Sequence, residues 1–242
     1  MKGKRGNSLD ANKKEFQKSF KQKVREQASK RGIENISSIL QEARSEYLNE
    51  IVKYGISDAE QSWKTFKGNL IEEIIKDEIE EAVKSSGLKI IKGSKLEGKD
   101  ENIGKCLSQV KRYLSINYGR NLGLHLPDAD LVIYDAKKCE PIAIISIKAT
   151  LRERIAQTGY WTLKLKQSPI TKHIKSLFIT LDEDGDLIRT NPVKKGRAIA
   201  ETDIDATYVI RNDIQESSKI KHLSRFKNDL SNWLKQQKDF NR

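Results

Sequence analysis

The sequence predicts an α/β fold, a mixed central sheet flanked by helices, with a helical region ahead of it. Three observations carry this. Residues 12–53 show only helical periodicity, two apolar runs lie close together at Leu131–Tyr134 and Ile142–Ile147, and the segments after them alternate between helical and strand patterns.

The elements follow in chain order. The first ten residues are polar, carry Gly3 and Gly6, and are expected to fray. Phe16, Phe20, Val24 and Ala28 then recur at helical spacing. A second helical set runs through Ile36, Ile39, Leu40, Ala43, Tyr47, Leu48, Ile51 and Val52, with Arg31-Gly32 as the break between the two. Tyr54-Gly55 closes the second helix, and Ser57-Asp58 caps a long amphipathic third one over about 57–84, with Trp63, Phe66, Leu70, Ile71, Ile74, Ile75 and Ile79 as its stripe. A turn at Ser85-Ser86-Gly87 leads to a short strand at Leu88–Ile91, and Gly93–Gly104 reads as a loop. Strands are predicted at Leu131–Tyr134 and Pro141–Ile147, joined by a hairpin around Ala136–Glu140. A helix over Leu151–Lys166, strands at Ser176–Leu181 and Ala206–Ile210, and a helix over Leu223–Lys238 complete the chain. This divides it into a helical N-terminal region, 1–56, and an α/β domain, 57–242.

Composition narrows the function classes. Forty-six Lys and Arg against thirty-four Asp and Glu give a formal net charge of +12, the balance of a chain that approaches a polyanion. A soluble lysine-rich protein has the same composition, so charge alone does not separate the two readings. No apolar stretch nears the length of a membrane span and no signal-peptide core follows the N-terminus, so a cytoplasmic location and no membrane partner are expected. Cys106 and Cys139 lack CxxC spacing and a nearby His cluster, so both are read as reduced structural or surface residues.

The chemistry concentrates around residues 128–154. Hydrolysis of a phosphodiester calls for a hard cation, an activated water and a positioned amine. Magnesium needs only one or two carboxylates beside water and phosphate oxygens. Asp130 directly precedes an apolar strand, which would fix its carboxylate at a sheet end; Asp128, one pleat back, is the secondary choice. An isolated acid at a strand start is usually a turn residue. Lys148 changes that balance, because it emerges from a strand apolar enough to be buried on both faces and must find solvent or a charge partner. Next come Arg152, Glu153 and Arg154, two cations in a helical first turn, where the helix dipole favours acids. Arginine can bond guanine O6 and N7 together, and glutamate can accept from cytosine N4, so the triplet suits G·C pairs in a major groove. An intrahelical salt-bridge cluster is the plain alternative. Asp182-Glu183-Asp184-Gly185-Asp186 lacks calcium-loop spacing and reads as a polar turn.

Asp130, a strand, a hairpin, a second strand and then Ser146-Ile147-Lys148 resemble the PD-(D/E)xK nuclease fold, in the variant where serine replaces the acid of the last triplet. That replacement leaves one metal ligand to be supplied elsewhere. Gly68-Asn69-Leu70-Ile71-Glu72-Glu73 is similar to the glycine-then-glutamate helix of that superfamily, which implies Glu72 as the missing ligand and Glu73 as the second choice, since adjacent helical positions lie about 100° apart. With Ser62-Trp63-Lys64 and the Arg-Glu-Arg element added, the chain resembles type II restriction endonucleases of the CCGG-recognising, BsaWI-like group. The likeness is strongest over about 57–166. It implies a homodimer or higher assembly that binds double-stranded DNA at a palindromic site with a CCGG-type core and cuts it with magnesium. Asp130 and Glu72 would hold the metal and Lys148 would act on the attacking water, while Arg152, Glu153 and Arg154 would read bases. A repair or mobile-element nuclease on the same fold is one alternative, and a DNA-binding protein without catalysis is another.

Overall fold

The computed structural model describes residues 3–119, 121–188 and 190–240. They separate into two compact units, Met1–Ile75 and Lys76–Arg242. The division falls inside a helix, whereas the sequence-based boundary lies ahead of that helix, after residue 56.

The N-terminal unit is helical. Helix α1 spans Gly3–Arg31, α2 Ile36–Ile51, and α3 Ala59–Ser85, whose later turns belong to the second unit. The fraying expected over the first ten residues is not found from Gly3 onward, where the backbone is already helical; Met1 and Lys2 lie outside the described residues. Gly32 breaks α1 from α2 at φ 85°, a conformation strained for residues with a Cβ. Asp58 caps α3, its Oδ1 accepting the Gln61 N–H at 2.9 Å. Phe20, Val24 and Ala28 are buried with Ile39, Leu40, Ala43, Trp63 and Phe66. Tyr47 sits among the rings of Phe16, Phe20, Trp63 and Phe66. Its buried hydroxyl accepts from Gln17 Nε2 at 2.7 Å and bonds Ser62 Oγ at 3.0 Å, so the ring is covered without orphaning its oxygen.

The second unit is built on a six-stranded sheet, ordered β1-β4-β5-β6-β7-β8. These are β1 (Lys89–Lys92), β4 (Leu131–Asp135), β5 (Glu140–Lys148), β6 (Lys175–Thr180), β7 (Ala206–Val209) and β8 (Ile220–His222). The pairs β1/β4 and β4/β5 are antiparallel, and the following three are parallel, so the sheet is mixed. Strand β5 is buried from Pro141 to Ile147, the double-faced burial its apolar run predicts. On one face, Val132, Tyr134 and Ile144 pack with residues of α5 (Lys105–Leu114) and with Leu165 of α6 (Arg152–Gln167). Phe178 and Val209 pack with Leu151, Ile155 and Ala200, the last on α7 (Lys195–Thr202). Tyr208, on the opposite face, meets Phe226 of α8 (Phe226–Phe240) edge-on and donates to Asp229 at 2.8 Å.

Several elements escape the sequence pattern. Between Gly93 and Gly104, read as a loop, lie a 3-10 turn and the short helix α4 (Asp100–Ile103). Helix α5, the two-residue strands β2 (Ile116–Asn117) and β3 (Leu124–His125), α7 and β8 are likewise unannounced. Strands of two or three residues are too short for alternation to register, and α7 starts with Lys195-Gly196, a poor helix opening.

Cys106 and Cys139, read from their spacing as reduced, form a disulfide. Sequence spacing carries no sign of this, because the pairing is tertiary: Cys106 opens α5, Cys139 sits in the β4–β5 turn, and their Cα atoms are 5.1 Å apart. The bridge ties the hairpin that carries Asp130 and Lys148 to the helix packed on it. With a sequence separation of 33 between the cysteines, the loss of loop entropy in the unfolded chain stabilises the fold by roughly 3–4 kcal/mol. The Cys106→Ser/Cys139→Ser protein is therefore expected to lose about 2–4 kcal/mol in urea unfolding relative to the oxidised protein. Equal midpoints for the two proteins would show that the bridge does not form in solution.

Candidate active site

The antiparallel register of β4 and β5 pairs Leu131 with Ile145, and the pairing continues past the strand start, where the Asp130 N–H donates to the Ile145 carbonyl at 2.9 Å. Asp130 thereby falls opposite Ser146, and side chains of Asp130, Ser146 and Lys148 project from one face of the sheet end. Lys148 Nζ reaches Asp130 Oδ2 at 2.9 Å and Oδ1 at 3.2 Å. Asp130 Oδ2 also accepts the Ile147 N–H at 2.6 Å. The carboxylate side chain is 13% exposed and the lysine 24%, so the pair sits at the rim of the core and not in it. An ionised carboxylate has about four acceptor sites. Three are used here, which leaves Asp130 able to take one further ligand.

Gly93, at the end of β1, explains why the chain can close so tightly behind this acid. Its N–H donates to the Asp130 carbonyl at 2.9 Å, and a Cβ at position 93 would lie 1.8 Å from the Ala129 carbonyl oxygen. Only glycine fits that approach. Sequence reasoning passes over Gly93 as one glycine of a loop.

The remaining candidates are placed as follows. Asp128 Oδ2 accepts from Gln157 Nε2 at 2.8 Å, which ties the loop before β4 to α6. Ser146 is 5% exposed, its Oγ 3.5 Å from the Asp128 carbonyl, long for a hydrogen bond. Glu72 and Glu73 lie on α3 within the N-terminal unit. Glu73 is committed to α1, accepting from Lys21 at 3.0 Å with Arg25 at 3.7 Å. Glu72, the next residue along, is partly buried. Among the described residues no three His, Cys, Asp or Glu side chains gather as a metal site. The oxygen donors at Asp130 suit a hard cation that completes its shell with water and phosphate oxygens.

Arg152, Glu153 and Arg154 are exposed in the first turn of α6, immediately after the strand that ends in Lys148. Their only contact with one another is a loose one, Arg154 Nε to Glu153 Oε1 at 3.9 Å, which is worth little in water. An acid from elsewhere in the chain offsets the helix dipole. Asp184 accepts the Leu151 N–H at 3.1 and 3.3 Å and the Arg152 N–H at 3.3 Å, so its carboxylate sits on the α6 N-terminus. Arg152 has φ 37°, a strained value for a residue with a Cβ, and these bonds help hold it. The polar turn that carries Asp184 is built around Asp182, which has no exposed surface. Asp182 accepts the Asp186 N–H at 2.8 Å and the Leu187 N–H at 3.2 and 3.3 Å, while Arg211 donates to its carbonyl at 2.7 Å. Burial pushes the Asp182 carboxyl up to about 6, against the opposing pull of the two backbone N–H groups and Arg211. The Glu183 N–H donates to the Ala149 carbonyl at 3.0 Å, one residue beyond Lys148. Farther along α6, Trp161 packs against the core cluster and Tyr160 is exposed, its hydroxyl 2.8 Å from that of Tyr118.

Comparison with known proteins gives this arrangement its class. The family model for the BsaWI restriction endonuclease type 2 matches residues 106–231, which hold the β4–β5 pair, α6 and the acidic turn. "Putative type II restriction enzyme MjaVIP" of Methanocaldococcus jannaschii is 37% identical over 213 residues, 82% of this chain and 92% of that protein. "Probable type II restriction enzyme HpyAORF263P" of Helicobacter pylori is 36% identical over 121 residues, 49% of this chain and 57% of that one. A solved complex of restriction endonuclease PspGI with substrate DNA aligns at a TM-score of 0.49 and 15% identity, over 84% of this chain and 78% of that one. The protein is a type II restriction endonuclease, a site-specific deoxyribonuclease. Within that class, the chain belongs to the BsaWI restriction endonuclease type 2 family.

The buried acid under α6 makes a pH prediction. A carboxyl whose folded value is raised from 3.8 to about 6 holds its proton more tightly in the folded state, so its contribution to stability is full below pH 4 and lost as pH rises through 6. Relative to Asp182→Asn, the wild-type enzyme should lose stability between pH 4 and pH 6.5, by about 3 kcal/mol at most. Urea unfolding of both proteins across that range checks it, and a stability difference independent of pH would contradict the assignment.

Proposed function

We propose that this enzyme makes magnesium-dependent cuts in double-stranded DNA at a palindromic site with a CCGG-type core, acting as a homodimer or higher assembly on a PD-(D/E)xK-type nuclease core. The single observation that carries the catalytic part is the Asp130–Lys148 pair: a carboxylate with one acceptor site left and a lysine, both partly exposed, at one end of a buried strand pair. In this reading Asp130 and Glu72 hold the metal. When bound, magnesium supplies Lewis-acid neutralisation of the charge that develops on the scissile phosphate. Lys148 exchanges part of its contact with Asp130 for the attacking water or the phosphate oxygen, orienting the one or deprotonating it. Ser146 stands where the PD-(D/E)xK triplet has its second acid, which is why a helix-borne glutamate is assigned that role. Membership in a family of type II restriction enzymes supports the reading.

Base reading falls to Arg152, Glu153 and Arg154. They are exposed and essentially free of one another, at the end of a helix whose start is fixed by Asp184. Arginine forks on guanine and the glutamate on cytosine match a G·C-rich core.

Two experiments test this. Digestion of a sequenced plasmid with magnesium should give discrete ends sharing one palindromic G·C-rich motif; chelator should abolish cutting. Lys148→Ala and Asp130→Ala should each slow it by roughly 10²–10⁴-fold or more with DNA binding retained. Cutting by Lys148→Ala at the wild-type rate would remove the lysine from the mechanism, and ends without a shared motif would defeat the proposed site. Separately, Arg152→Ala and Arg154→Ala should each reduce discrimination between cognate and unrelated duplexes by about 1–3 kcal/mol, with affinity for unrelated DNA nearly unchanged. Equal weakening on both duplexes would identify these arginines as phosphate contacts instead.

A further inference from the structure

The N-terminal unit carries a groove of about 950 Å³ between α1 and α3, and the two walls differ in chemistry. Along α1 the groove meets Lys14, Lys18, Lys21 and Arg25. Their spacings of four, three and four residues place them in one stripe, about 16 Å long at 1.5 Å per residue. The buried apolar stripe of the same helix, Phe20, Val24 and Ala28, lies about a quarter turn round from the cationic one. Along α3 the lining is neutral and polar: Gln61, Thr65 and Asn69, again one turn apart. With Lys13, five cations line the groove against two carboxylates, Asp58 and Glu73. Both acids are engaged, Asp58 in capping α3 and Glu73 with Lys21 and Arg25 at one end. Lys14 and Lys18 are exposed and have no carboxylate partner among the described residues.

A helix keeps such a row of like charges at some cost, since cations four residues apart repel. An apolar ligand would gain nothing from it, and a small anion would need one focus of donors and not a row. We infer that this face of α1 holds the phosphodiester backbone of duplex DNA, one strand of phosphates lying along the cationic stripe while the amide and hydroxyl groups of α3 bond phosphate or sugar oxygens. The inference rests on the enzyme's acting on DNA and deepens it, by assigning a sequence-independent contact to the helical unit. Such contacts position a protein on the duplex and carry no base information. Their mark is the salt dependence of binding, because each neutralised phosphate releases condensed counterions.

The test uses full-length enzyme without divalent metal, so that catalysis plays no part, and titrates fluorescent duplexes with and without the recognition motif between 50 and 200 mM salt. Lys14→Gln/Lys18→Gln removes two unpaired cations of the stripe and leaves the Glu73 contacts intact. Loss of two phosphate contacts should make the slope of log affinity against log salt shallower by about 1.8, so that the wild-type enzyme loses about tenfold more affinity than the variant over that range. The effect should be equal on both duplexes, and Lys14→Arg/Lys18→Arg should restore it. An unchanged slope would overturn the inference. So would a loss of affinity that tracks a fall in oligomer mass by light scattering, which would make the groove a contact between protein copies. Neither outcome depends on Asp130 or Lys148, whose roles are read from cleavage rates.

Discussion

The contact between Lys148 and Asp130 constrains much of what surrounds it. To bring an ammonium within 2.9 Å of a carboxylate at a sheet end, β4 and β5 must pair in one register, since a slip of one residue would send the two side chains to opposite faces. That register is fixed by burial: Leu131 through Tyr134 and Pro141 through Ile147 are buried, so every alternative pairing would expose apolar side chains or bury the ion pair. The hairpin is held from outside by the Cys106–Cys139 bridge and from behind by Gly93, whose missing side chain lets β1 close on the loop before Asp130. A pair at 13% and 24% exposure lies where solvent and ligand can reach it and where neither charge bears the full desolvation cost.

A second constraint sits one residue past Lys148. A helix that opens with Arg152-Glu153-Arg154 places two cations against the positive end of its own dipole. The chain supplies the missing anion from the turn after β6, where Asp184 takes the first N–H groups of α6. That turn is stiffened by Asp182, a buried carboxylate surrounded by backbone donors and Arg211. The exposed first turn of α6 is thus fixed to the same strand end as Lys148, through the Glu183 N–H on Ala149. Residues 148–154 are held as one stretch although only part of it is regular structure.

How legible this was in the sequence depended on how local each feature is. The β4 and β5 strands, the three long helices and α6 come from periodicity and apolar runs, and these elements stand where the sequence predicts them to within a few residues, except that α1 begins nine residues earlier, at Gly3. Asp130 and Lys148 could be singled out because each borders an apolar run whose burial leaves it a restricted position. The disulfide, the Asp184 cap and the Gln157 contact to Asp128 are tertiary pairings at separations of 33, 32 to 33 and 29 residues, and no spacing rule announces them. The acidic turn was legible as a turn but not as a support for α6. The Arg-Glu-Arg opening was the one local hint, because a helix start that violates the dipole preference calls for an anion from elsewhere.

The net charge of +12 serves unlike tasks in different places. Lysines such as Lys166 and Lys221 are taken up by Asp205 and Asp229 at 2.9 and 2.8 Å, and add nothing to an external field at close range. Arg211 and Arg197 bond backbone carbonyls and are structural. What is left for a polyanion is the fraction that neither carboxylates nor carbonyls claim, and on α1 it includes Lys14 and Lys18, set one turn apart on the groove face by the same helical period that buries Phe20 and Val24. The two sets of free cations differ in kind. Lysines on a smooth helix face present point charges that slide from one phosphate to the next, whereas Arg152 and Arg154 present planar forks on a helix end fixed by Asp184. In the proposed reading, affinity without sequence preference follows from the first geometry and discrimination from the second. An enzyme that must search long stretches of DNA and cut at one site needs both, and the proposed reading assigns them to separate helices, where each can be altered without the other.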